Sequence, residues 1–182
     1  MDIFEQQLMF TGGSLLCAGI GSVTDVRQRR IPNLLTGPAI AAGLMLHTVY
    51  GGWRGLGDSA LAGSIAGGIF LVIFLAGGMG AGDVKLMTAV GCFAGLSPLP
   101  LVILATALAG GVLALAVSLF HGRLRETIHN VASLLQHHGR QGLKPHPELN
   151  LGNARTLRLP FALPIAAGCL FTLCTLAWEA HP

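Results

Sequence analysis

Six stretches of the 182-residue chain are almost free of charge, and polar clusters separate them: Ile3–Thr24, Leu34–Tyr50, Ser59–Leu75, Val84–Leu96, Leu99–Phe120 and Leu159–Trp178. A helix needs about 20 residues to cross the hydrocarbon core of a bilayer, and most of these runs approach or reach that length. The fourth is short, and Ser97-Pro98 divides it from the fifth. The pattern predicts an all-α polytopic membrane protein with about six transmembrane helices.

The cations then set an orientation. Arg27, Arg29 and Arg30 follow the first span, Lys85 lies just after the third, and Arg123, Arg125, Arg140, Lys144, Arg155 and Arg158 lie between the fifth and sixth. With six crossings these ten of the 11 Lys and Arg residues fall on one side, and Arg54 alone falls opposite. Lysine and arginine accumulate in cytoplasmic loops, so the N-terminus is expected outside and the basic loops inside.

Composition agrees. The chain is 52% hydrophobic and only 10% charged, with a mean hydropathy of +0.67, which excludes an ordinary soluble domain. The net charge of +3 comes from the basic loops and implies no nucleic-acid partner. Met1-Asp2-Ile3-Phe4-Glu5 lacks the basic start of a cleavable signal peptide. Cys17, Cys92, Cys169 and Cys174 form no CxxC, and each reads as a small buried apolar residue.

The chain reads as a single membrane domain, 1–182, with a cytoplasmic insertion at about 121–158. Leu124, Ile128, Val131 and Leu135 recur there at helical spacing, as in an amphipathic helix lying on the inner membrane surface. His137, His138 and His146 lack a completing acid or cysteine, so no metal site is expected. Gly63-x-x-x-Gly67 and Gly91-x-x-x-Gly95 put small residues on single helix faces, where neighbouring helices can approach closely.

Two carboxylates stand out. Asp25 closes the first span and Asp83 ends Gly80-Ala81-Gly82-Asp83. An acid at the bilayer centre costs roughly 2.5–3.5 kcal/mol, so acids bordering apolar runs are functional candidates. Six crossings put both at the cytoplasmic ends of their helices. The other six acids, Asp58 among them, read as solvated charge in loops or at termini. Asp25 alone could be a helix-end charge balanced by arginines, and Asp83 alone could N-cap the fourth span, as Asn33 after Pro32 could N-cap the second. Together they suit hydrolysis by activated water. Two close carboxyls share a proton; the ionised one takes a proton from water and the protonated one polarises the scissile carbonyl.

With these motifs the chain resembles the type IV prepilin peptidases, GxGD-type aspartic proteases of the bacterial inner membrane. It is most similar to the short form associated with Flp-type tight-adherence pili. The resemblance rests on Asp25-Val26-Arg27 through Ile31-Pro32-Asn33, on Gly80-Ala81-Gly82-Asp83-Val84-Lys85-Leu86 with Gly91 and Gly95, and on Leu159–Gly168. It implies Asp25 and Asp83 as the catalytic pair, with Gly80, Gly82, Lys85, Pro32 and Asn33 as motif support. No metal or organic cofactor is implied. The implied substrate is a prepilin-like precursor with a basic leader, a glycine before the cut and a hydrophobic helix held in the lipid bilayer. Long forms of the family carry paired CxxC motifs and also N-methylate; without such motifs here, cleavage without methylation is expected. Two other readings use the same residues: a proton-coupled transporter, and a non-catalytic scaffold for pilus assembly.

Overall fold

A computed structural model describes residues 3–122, 124, 125, 127–131, 133, 142 and 160–179. Five main helices order the fold: α1 (Ile3–Gln28), α2 (Asn33–Leu75), α3 (Ala81–Ala94), α4 (Leu99–Phe120) and α5 (Ala162–Glu179). No strand occurs among the described residues. Three helices, α2, α4 and α5, are long and apolar enough to cross a membrane. Most of the 121–158 insertion, with Leu135, His137, His138 and His146, lies outside the described residues; residues 124, 125 and 127–131 are helical, with Ile128 and Val131 exposed.

At 43 residues α2 would be a rod of about 64 Å if straight, far longer than a bilayer is thick. It is broken at Gly52, whose φ of 59° and ψ of −143° suit glycine alone. The chain reverses there, so that His47 Nδ1 lies 3.8 Å from Asp58 Oδ2. The limbs, 33–51 and 53–75, correspond to the second and third expected spans. The loop expected between them is helical on both sides of Gly52, so Arg54 and Asp58 are helix residues.

The short helix α3 sits at the centre. Leu86, Met87, Ala89 and Val90 are fully buried, as expected of a helix apolar on all sides. Helix α1 runs antiparallel to it: Ser14 Oγ donates to the Val90 carbonyl at 3.2 Å, and Gly21 faces Leu86. The first limb of α2 runs parallel, with Asn33 beside Lys85 and Gly43 against the Cys92 backbone. The second limb is antiparallel, with Gly63 at Cys92 and Gly67 at Thr88. Ser59 Oγ adds a 2.7 Å bond to the Cys92 carbonyl. Helices α4 and α5 pair antiparallel, Gly110 meeting Phe161 and Gly168 meeting Thr106.

Several expectations change. Gly95 lets Asp58 and His47 of α2 approach closely, as a Cβ there would lie 2.8 Å from the His47 ring, but it also ends α3 with φ 76°, a left-handed value that glycine takes readily. Cys17, Cys92 and Cys169 are buried, but Cys174 is exposed on the apolar exterior. Helix α1 continues past Thr24 to Gln28 and closes through Arg29, whose N–H donates to the Asp25 carbonyl at 2.7 Å. Arg29 sits at φ 52°, where a non-glycine side chain costs roughly 1 kcal/mol. Arg29→Gly is therefore expected to leave the melting temperature unchanged or raise it by a few degrees in a detergent-solubilised thermal melt.

Candidate active site

Four helix ends meet at one end of the bundle: the last turn of α1 and the first turns of α2, α3 and α5. Asp25 lies in the final turn of α1, not beyond it, and is half-buried. The backbone N–H of Ala162, the first residue of α5, donates to its carboxylate. Ser22, one turn earlier and buried, donates from Oγ to the Ala162 carbonyl at 2.7 Å. Two residues of α1 thus grip the start of a helix 137–140 positions away in sequence.

The second carboxylate is placed by a turn. Gly80 is the N-cap of α3, and Asp83 is its third helical residue rather than its cap. Asp83 Oδ2 reaches back to accept the Gly80 N–H at 3.1 Å, while the Asp83 N–H donates to the Gly80 carbonyl at 3.1 Å. A Cβ at position 80 would lie 3.2 Å from Asp83 Oδ2, and one at position 82 would lie 3.2 Å from the Ile31 side chain. Each glycine therefore makes room for a neighbour within the chain: one for the carboxylate itself, one for the loop that precedes α2.

The remaining motif residues frame this pair. Pro32 is the N-cap of α2, and Asn33 is its first helical residue rather than its cap. Asn33 Oδ1 accepts a 2.8 Å bond from Lys85 Nζ at the exposed edge. Lys85 thus ties α2 to α3 and is not bonded to either aspartate among the described residues. Sequence reasoning missed Ser22, Ile31 and Ala162. Ile31 contributes by packing against Gly82, Ala162 through its backbone, and Ser22 through a hydroxyl whose partner is that distant backbone.

Asp25 and Asp83 lie just beyond the apolar stretches of their helices and are close enough to affect each other's charge. Burial, opposed by the Gly80 N–H and helped by the charge on Asp25, raises Asp83 from the ordinary 3.8 to about 6. Burial also raises Asp25, opposed by the Ala162 N–H. Both shifts favour the protonated form, so the pair keeps a proton at pH values where free carboxyls are ionised. Such a pair can act as acid and base together.

The sign is testable. Between 3.8 and about 6 the folded chain binds more protons at Asp83 than the unfolded chain does. Its contribution to stability is therefore full at low pH and is lost as pH rises through about 6. The melting temperature of Asp83→Asn is expected to vary less over this window than that of wild type. In Asp25→Asn the Asp83 titration, followed by infrared carboxyl absorption, is expected to move down, because a neighbouring negative charge is gone.

The model of the type IV leader peptidase family matches residues 13–115, more than half of the chain and both aspartates. The chain belongs to the type IV leader peptidase family. Curated relatives agree, each named prepilin leader peptidase/N-methyltransferase. The Burkholderia pseudomallei (strain K96243) protein is 36% identical over 120 residues, covering 60% of this chain and 38% of the relative. The Neisseria gonorrhoeae protein is 34% identical over 122 residues, 62% of this chain and 42% of the relative. The Escherichia coli (strain K12) protein is 34% identical over 116 residues, 59% and 50% respectively. The chain thus matches half or less of the length of these relatives. No solved structure matches it. The leader peptidase match runs from α1 into α4; α5, with Ala162, lies outside it.

Proposed function

We propose that this chain is an aspartic endopeptidase that removes the leader of type IV, Flp-like prepilins, with Asp25 and Asp83 as its catalytic pair. The observation that supports the reading is that the two carboxyls, from α1 and α3, sit at one end of the bundle, with burial raising both and the charge on Asp25 adding to the rise at Asp83. Asp83, more buried and raised to about 6, holds the shared proton and polarises the scissile carbonyl. Asp25, ionised, draws a proton from the attacking water. The proton on Asp83 then passes to the leaving amine.

The same reading takes the chain as one membrane domain of six crossings in the bacterial inner membrane, N-terminus outside, with the insertion at about 121–158 in the cytoplasm. The break at Gly52 supports it, since it divides α2 into two limbs of spanning length. The gathering of Asp25, Asn33, Asp83 and Ala162 at one end also fits, because the clustered cations Arg27, Arg29, Arg30 and Lys85 share that end. A precursor whose hydrophobic helix lies in the bilayer would present its scissile bond at this depth.

We take the activity to be cleavage without N-methylation. The relatives are named for both reactions, and the support here is that none of the four cysteines forms a CxxC. The deciding experiment co-expresses the chain with a Flp-type precursor and follows leader loss by gel shift and the new N-terminus by mass spectrometry. Loss of the leader with an unmodified N-terminal amine is expected. An intact precursor rejects the peptidase, and an N-methylated product rejects the restriction to cleavage.

A further inference from the structure

At the end of the bundle away from the aspartates the structure holds a second polar site. A cavity of about 360 Å³ opens there, lined by Gln6, Phe10, Tyr50, Arg54, Asp58 and Ser97 among others. Phe10 is 15 residues from Asp25 on α1, which places the cavity about 22 Å from the carboxyl pair along the helix axis.

Asp58 lies in the cavity wall in a fixed orientation. Its Oδ2 accepts the Leu96 N–H at 3.1 Å and lies 3.8 Å from His47 Nδ1. His47 is buried; its Nε2 is 2.9 Å from the Phe93 carbonyl and its ring stacks on Phe10 at 4.1 Å. The reading of Asp58 as a solvated loop charge is thereby replaced. This arrangement has a further effect. Arg54 and Asp58 are four residues apart on one helical limb, a spacing at which opposite charges usually pair. Asp58 is turned instead toward His47 and Leu96, and Arg54 has no ion pair among the described residues. Asp58 Oδ1 likewise has no hydrogen-bond partner among them. The cavity therefore offers a cation and a carboxylate oxygen about one helical turn apart, roughly 5–6 Å between Cβ atoms.

The surroundings indicate depth. Trp53 is 86% exposed beside the cavity and Tyr50 is exposed on its wall; such amphipathic rings favour the headgroup level of a membrane. Met45 and Val49, on the preceding limb, are exposed and apolar. A ligand with a zwitterionic head and hydrocarbon chains satisfies all of these features at once. We propose that this cavity is a headgroup site for an aminophospholipid, with the phosphate on Arg54, the ammonium on Asp58 and the acyl chains along the apolar surface of the α2 limbs.

The test is native mass spectrometry of the full chain in detergent, titrated separately with phosphatidylethanolamine, phosphatidylglycerol and inorganic phosphate. Wild type is expected to retain phosphatidylethanolamine about tenfold more tightly than phosphatidylglycerol, as befits one charge-assisted contact. Arg54→Gln, at an exposed position, is expected to weaken phosphatidylethanolamine by about tenfold. Asp58→Asn keeps an acceptor for the Leu96 N–H and is expected to erase the preference between the two lipids. Equal retention of both lipids by wild type, or unchanged phosphatidylethanolamine binding by Arg54→Gln, overturns the proposal. Displacement of bound lipid by an equal concentration of inorganic phosphate overturns the lipid in favour of a free-phosphate site.

Discussion

Asp25→Asn and Asp83→Asn are each expected to lower precursor cleavage by at least about a hundredfold, the contribution typical of a positioned acid or base. Asparagine keeps the size of the carboxyl and can still accept the Ala162 or Gly80 N–H. What it removes is the exchangeable proton or the charge, so binding of the precursor should survive. The double mutant should be scarcely worse than either single mutant, because both groups act in one proton cycle. Processing rates from purified protein in detergent, together with precursor co-purification, check this. A single mutant that cleaves at near the wild-type rate removes the paired-carboxyl mechanism. A proton-coupled carrier or a scaffold would show no cleavage in wild type to begin with.

The second large effect concerns packing. Gly91→Ala is expected to destabilise the fold by roughly 1–3 kcal/mol, the usual cost of forcing extra volume into a closed contact. A Cβ there would lie 2.8 Å from the Ala62 carbonyl oxygen and 2.8 Å from the Ala66 Cβ. Neither obstacle is the far end of a flexible side chain, so relief requires the second limb of α2 to move away from α3. Close helix approach through small residues is a main source of cohesion where lipid supplies no hydrophobic drive. Gly68, on the same limb but with nothing near its missing Cβ, serves as the matched control. Gly68→Ala is expected to melt like wild type or slightly higher, because alanine is the better helix former. Thermal melts of both variants in the same detergent provide the comparison.

Much of this was readable from residue order. Apolar run lengths located the helices to within a few residues, and the GxGD motif with the Asp25 segment located the paired carboxyls. Charge counting also puts the two carboxyls at one end, where the helix ends gather in the fold. The polar segment around Gly52 looked like a loop because Gly51, Gly52, Arg54 and Asp58 are poor in apolar signal. Only the backbone torsions show that a single residue makes the turn. Asp58 was misread for a related reason. Its partners are His47, eleven residues back, and a backbone N–H at Leu96, and neither leaves a mark in local pattern. Ala162 illustrates the limit most clearly. It matters through its N–H and carbonyl, and every residue except proline has both.

The bond between Ala162 and Asp25 also bears on how the protein is made. A ribosome delivers Asp25 early and Asp83 some sixty positions later, yet the donor that orients Asp25 arrives only with the final described helix. A nascent chain halted after α4 would carry both acids with their setting unfinished. The setting of Asp25 is thus finished only when α5 has been translated, long after both acids have been made.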